Sequence, residues 1–324
     1  MSRLPPGGAS GSTAEASHVT FPPGYRIGHA TDAARRTGCT VILPPPGTIA
    51  AVDVRGGAPG TRETGLFTPG NLISEIDALV FAGGSAFGLA AATGVTEWLA
   101  ERGVGRAIGP ARVPIVSGAV LFDLAVGDPK AYPDAAMGRA ACDFAAEVSG
   151  TRPVECGRVG AGAGAMVGKL LGIERAAEGG VGVASVSLPD GTLVSALAAV
   201  NAVGDVVDPE TGAVVAGPAR PGFRSERALV EEALEDSPFL GGNTTLVAVA
   251  TSAPFEPGAL KRVAIEAHDG LARAVRPAHT LFDGDVVFAL APGGAPPPPP
   301  MRLRIGAAAA RVTAKAILAA VRRA

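Results

Sequence analysis

Apolar runs of strand length recur along this chain, at residues 40–43, 49–54, 78–81, 181–188, 193–200, 244–250 and 286–291. Runs of four to eight β-branched and small aliphatic residues suit strands rather than helices. Between them, helical patterns are expected at 86–101, 134–148, 225–236, 257–275 and 306–322. In the fourth, Leu260, Val263, Ala264, Ala267, Leu271, Ala274 and Val275 fall at helical spacing on one side. Pro189-Asp190-Gly191 joins two of the strands as a hairpin turn. An α/β chain of this pattern packs sheets in layers under helices. Aromatic residues are only 4% of the chain, so the core must come from Ala, Val, Leu and Ile.

The remaining composition narrows the function. A formal net charge of −2 argues against nucleic acid or an anionic membrane surface as the main partner, since both favour a basic face. With 47% hydrophobic and 18% charged residues the chain can bury a large core, as one large domain or two. Cys39, Cys142 and Cys156 are scattered and odd in number, which suits a reducing cytoplasm better than a disulfide framework or a structural zinc site. No secretion signal is expected, and no apolar stretch reaches the roughly 20 residues of a bilayer span. Residues 1–20 read as a disordered tail, residues 21–324 as one domain, and the prolines of 296–300 as a stiff extended spacer.

Several familiar motifs fail on inspection. Before Lys169 a P-loop would need glycine where Ala163 stands, and Leu170 replaces the hydroxyl residue that holds magnesium. Gly160-x-Gly162-x-x-Ala165 fits the loose dinucleotide fingerprint, a match expected by chance among 45 glycines. Gly83-Gly84-Ser85-Ala86-Phe87-Gly88 puts Phe87 where a nucleophile elbow needs glycine, so Ser85 is read as a helix cap. His18, His29, His268 and His279 include no pair at metal-ligand spacing, and no metal or other cofactor is implied. His279 is read as a structural residue orienting the turn before Phe282.

A sharper signal is Gly241-Gly242-Asn243-Thr244-Thr245, small residues running straight into an apolar strand. Cutting the Asn243–Thr244 bond would give Thr244 a free amine beside its hydroxyl. Such an amine has a pKa of roughly 7.7–8.0, so it can take the hydroxyl's proton near neutrality. The same hydroxyl could first attack the carbonyl of Asn243, giving an ester that water opens. Taken alone, the segment reads more plainly as a turn entering a strand. Other residues add to it. Asp283 and Asp285 stand two apart around Gly284, on one face if extended, where they could hold the amine and hydroxyl of Thr244. Lys169 is the one charged residue of 159–173 and could tune the amine or an oxyanion. Asn201 closes the run 193–200, where its amide could serve an oxyanion hole or merely close a turn.

Together these segments resemble the family of N-terminal nucleophile peptidases that holds the L-aminopeptidase/D-Ala-esterases, the β-peptidyl aminopeptidases and the nylon-oligomer hydrolases. The resemblance spans about 25–291 and rests on Asp53-Val54-Arg55-Gly56-Gly57-Ala58-Pro59-Gly60-Thr61-Arg62-Glu63-Thr64, Gly83–Leu89, Gly160–Lys169, Asn243-Thr244-Thr245 and His279-Thr280-Leu281-Phe282-Asp283-Gly284-Asp285. It implies a four-layer αββα sandwich, assembled as tetramers or larger homo-oligomers. It also implies self-cleavage between Asn243 and Thr244 into fragments of 243 and 81 residues that stay together. Thr244 would be the nucleophile, with Lys169, Asn201, Asp283 and Asp285 around it as in the threonine-nucleophile, nylon-oligomer branch. The substrate would be a peptide or an oligoamide. Members often carry a tyrosine near 120–123, and here Phe122 lacks the hydroxyl for an oxyanion contact. The rival expectation is an uncut binding or assembly protein of the same fold. A nucleotide-binding protein is the weakest candidate.

Overall fold

Strands form where the short apolar runs stand. In the computed structural model, which describes residues 20–147, 153–231 and 241–322, they gather in two five-stranded sheets. The first runs β1 (Arg26–Asp32), β2 (Thr37–Leu43), β5 (Ala78–Ala82), β6 (Val116–Val120) and β4 (Gly60–Arg62). The second runs β7 (Gly180–Ser187), β8 (Leu193–Asn201), β9 (Thr244–Thr251), β10 (Val286–Pro292) and β3 (Thr48–Val54). Only the β5–β6 and β9–β10 neighbours are parallel, as a helical crossover requires.

Helices α1 (Ala91–Glu101) and α2 (Ala135–Glu147) cover the outer face of the first sheet, while α4 (Pro257–Ala274) and α5 (Pro299–Arg322) cover that of the second. The short α3 spans Ser225–Glu231. The inner faces of the two sheets meet in an apolar layer where the rings of Phe81 and Phe288 lie 6.0 Å apart. The result is the expected αββα sandwich. Strand alternation decides which side chain serves which layer: in β9, Val247 and Val249 lie under the helices, and Leu246, Ala248 and Ala250 enter the layer between the sheets.

Two local expectations are corrected. Ser85 caps nothing: it begins a 3₁₀ turn, Ser85–Ala90, at φ 52°, without a side-chain cap. The Asp123 carboxylate instead takes the N–H of Gly84 at 2.7 Å. The proline run is not all spacer, for Pro299 and Pro300 open α5, where the first turn has no use for their missing N–H groups. The tail of residues 1–20, except Thr20, lies outside the described residues, as do 232–236 of the helix expected from 225. No helix among the described residues is long and apolar enough to cross a membrane.

Candidate active site

Thr244 opens β9, and the register of the sheet places it opposite Asn201, the last residue of β8. Both are buried. Gly242, at φ 82°, lets the chain turn sharply into the strand, and a side chain there would run into the Phe122 ring. Phe122 therefore packs against the turn with its ring and accepts a hydrogen bond from Asn201 Nδ2 at its carbonyl, 3.0 Å away.

Lys169 follows a glycine-rich turn stitched to the end of β8, with Gly168 N–H donating to Gly204 and Lys169 N–H to Val203, each at 3.0 Å. Its ammonium is buried and donates to three oxygens: Asn201 O at 2.9 Å, Asn201 Oδ1 at 3.0 Å and Gly242 O at 3.1 Å. Asn201 Nδ2 donates to the same Gly242 carbonyl at 3.1 Å. Burial pulls the Lys169 pKa down to about 7, with Asp283 and Asp123 opposing that shift. Three acceptors match the three hydrogens of the charged form. Asp123, three residues beyond β6, was not legible as a site residue. Burial raises its own carboxyl pKa, against the pull of the Gly84 N–H, the Thr37 hydroxyl and, least, Lys169.

The two aspartates divide between different partners. Asp283 bridges to Asn243 in parallel fashion and accepts from the hydroxyl and the N–H of Thr280. Burial first, and then the neighbouring Asp285, raise its pKa to about 6. Asp285 accepts from Thr245 N–H at 2.7 Å and from the backbone N–H and Nδ1 of His279, each at 2.9 Å. Among the described residues neither carboxylate is hydrogen-bonded to the Thr244 hydroxyl. That hydroxyl donates to the carbonyl oxygen of Asn243, which also receives the Gly284 N–H at 2.8 Å. Two donors thus converge on one carbonyl, at the bond the sequence singled out.

Gly284 is required by close approach. A methyl group there would lie 2.7 Å from Thr244 Oγ1 and 2.9 Å from Ala58 O. We expect Gly284→Ala to displace the hydroxyl and, since a misplacement near 1 Å can cost about 10²-fold, to slow any acyl transfer at Thr244 to that degree. A time course of intact mass on newly synthesised chain checks this, and a native rate would refute it.

All six residues read from the sequence, Lys169, Asn201, Asn243, Thr244, Asp283 and Asp285, thus stand around the start of β9. His279, read as a structural residue of the turn, contacts Asp285 directly as well. Its place six residues before Asp285 in one motif was the available signal. Among the described residues no group of three or more His, Cys, Asp or Glu stands where it could hold a metal ion.

The model of peptidase family S58 matches residues 19–324. An uncharacterized aminopeptidase of Mycobacterium tuberculosis is 45% identical, over 94% of this chain and 93% of its own length. The 6-aminohexanoate-oligomer endohydrolase of Paenarthrobacter ureafaciens is 36% identical, over 83% of this chain and 73% of that protein. Among solved structures, the L-aminopeptidase D-Ala-esterase/amidase from Ochrobactrum anthropi superposes with a TM-score of 0.71 at 20% identity, covering 94% of this chain and 87% of that one. A Burkholderia sp. beta-aminopeptidase superposes with a TM-score of 0.67 at 24% identity, covering 92% of this chain and 84% of that one.

Proposed function

This chain belongs to peptidase family S58, and from that premise we propose that it cuts itself between Asn243 and Thr244 and then hydrolyses peptides or oligoamides with Thr244 as nucleophile. The observation that carries the reading is the convergence of the Thr244 hydroxyl and the Gly284 N–H on the Asn243 carbonyl oxygen.

In the uncut chain, Thr244 Oγ1 attacks the Asn243 carbonyl carbon. Negative charge develops on the carbonyl oxygen, where the Gly284 N–H is already aimed. The C–N bond then breaks, the nitrogen keeps the electron pair and takes up the hydroxyl proton, and an ester joins Asn243 to Thr244. Water opens the ester, leaving an Asn243 carboxylate and a Thr244 with both hydroxyl and amine.

In turnover that amine takes the hydroxyl proton as Oγ1 attacks a substrate carbonyl, and returns it to the leaving amine. Water releases the acid from the acyl-enzyme. Lys169 Nζ and Asn201 Nδ2, both 3.1 Å from Gly242 O in the uncut chain, are the donors best placed to receive a substrate oxygen once that segment has let go. Phe122 adds only its ring and carbonyl. The named activities of the relatives, an aminopeptidase and an oligomer endohydrolase, support amide substrates of either class.

Intact-mass measurement of the purified protein tests the reading. We expect fragments of 243 and 81 residues, the smaller starting at Thr244. A single chain that stays whole on long incubation would favour the uncut binding protein instead. Aminoacyl p-nitroanilides, β-peptides and 6-aminohexanoate oligomers, assayed side by side, would then assign the substrate class.

A further inference from the structure

Behind the nucleophile stands a pair of imidazoles, His268 buried and His279 partly so, that the proposed chemistry does not use. His279 donates twice to one oxygen of Asp285, from its backbone N–H and from Nδ1, both at 2.9 Å. The carboxylate can only accept, which fixes the ring in the tautomer with its proton on Nδ1. The other Asp285 oxygen accepts the Thr245 N–H at 2.7 Å. One carboxylate therefore holds three N–H groups, two from His279 and one from the residue after the nucleophile.

The position of that third bond explains its use. The parallel ladder between β9 and β10 starts at Leu246 opposite Val286. One residue earlier, the Asp285 side chain meets the Thr245 N–H at the edge where the ladder has yet to begin. A strand end without such a partner frays. Before cutting, Asn243 also tethers Thr244 through the chain and through its bridge to Asp283. After cutting, that tether is gone, and the grip of Asp285 lies one residue from the new terminus.

His279 is itself fixed from behind. Its ring meets that of His268 edge to face, with centroids 4.7 Å apart. His268 is fully buried on α4, with Nε2 3.0 Å from the Asp53 carbonyl, an acceptor that calls for a proton on Nε2. The Asp53 side chain is gripped by Lys261 at 2.6 Å and Arg55 at 2.7 Å. His279 also adopts φ 56°, a left-handed conformation that costs most residues energy.

We infer that His279 is a positioning residue for the nucleophile: it orients Asp285, and Asp285 holds the start of β9 so that Thr244 stays in place once it has become a chain end. The inference rests on the proposed role of Thr244.

Its test separates the side-chain donor from the backbone shape. Asparagine tolerates the left-handed conformation and offers an N–H near the place of Nδ1, whereas glycine accepts the conformation without offering a donor. We expect His279→Asn to cut itself and turn over at near-native rates. His279→Gly should lower kcat by about 10- to 100-fold, the worth of a hydrogen bond to a charged group, with KM changed less than about twofold. Kinetics use whichever aminoacyl p-nitroanilide or 6-aminohexanoate oligomer the native protein cleaves, and intact mass follows self-cleavage of newly synthesised chain. Glycine as active as asparagine, or asparagine as impaired as glycine, would overturn the inference. A native chain that never cuts would instead refute the role of Thr244.

Discussion

Replacing Thr244 by Ala should leave one uncut chain of 32.0 kDa with no hydrolytic activity, where the native protein is expected to give two fragments. The substitution removes a buried hydroxyl and a methyl group at the start of a strand flanked on both sides, so the fold has little reason to fail. Without Oγ1 neither the ester with Asn243 nor an acyl-enzyme can form, and no other hydroxyl substitutes. The neighbouring Thr245 is buried too, but strand alternation turns its side chain to the opposite face of the sheet. Thr245→Val is thus a control expected to cut normally. Thr244→Ser keeps the hydroxyl and should cut. Fragments from the alanine variant, seen by intact mass, would end the proposal.

The second large effect is expected at Lys169. Lys169→Met keeps the length of the side chain and removes the charge and all three hydrogen bonds. Gly242 O retains Asn201 Nδ2, but Asp283 and Asp123 lose the cation between them. Removing one member of a buried charged cluster costs about 3–5 kcal/mol of stability, and freeing the Gly242 carbonyl from Lys169 loosens the segment that carries the scissile bond, a misplacement worth about 10²-fold in rate. Self-cleavage should slow by that order, followed by intact mass, with a thermal melt to confirm folding. The pH dependence carries the same sign. The ammonium is lost as pH rises through about 7, so the native rate of self-cleavage should fall across that range. The methionine variant should lack this limb. A native rate that climbs instead would mean that the neutral amine, acting as a base, is the working form.

Much of the fold was legible because its elements follow from local rules. The Pro189-Asp190-Gly191 turn joins antiparallel β7 and β8 as expected, and the apolar stripe of α4 lies on the second sheet. The prolines at 299 and 300 were misjudged because a proline run looks extended until one asks which N–H groups a helix start can spare. Ser85 was misjudged for a different reason. Its competitor for the cap, Asp123, lies far away in sequence, and only the parallel pairing of β5 with β6 brings it near.

The site shows the same division. Thr244 and Asn201 could be named from their places at strand ends, but their pairing across β8 and β9 is a matter of register. Asp283 and Asp285 were expected to work side by side. They separate because Thr280 and the Asn243 bridge hold the first, while His279 and the Thr245 N–H hold the second. His279 was set aside because its place in one motif with Asp285 marks nearness in sequence but not that its ring and N–H both reach that carboxylate.

The order of the second sheet bears on what would follow self-cleavage. β9 and β10, from the downstream piece, lie between β8 and β3, from the upstream piece. A cut chain of this kind would not simply come apart, yet once melted it would have to reassemble by collision, at a rate set by dilution, where the intact precursor needs no encounter at all. Such a protein would acquire its shape as one molecule and would not easily reacquire it as two, so the moment of cutting would turn a reversible folding equilibrium into a history that persists only while the first fold survives.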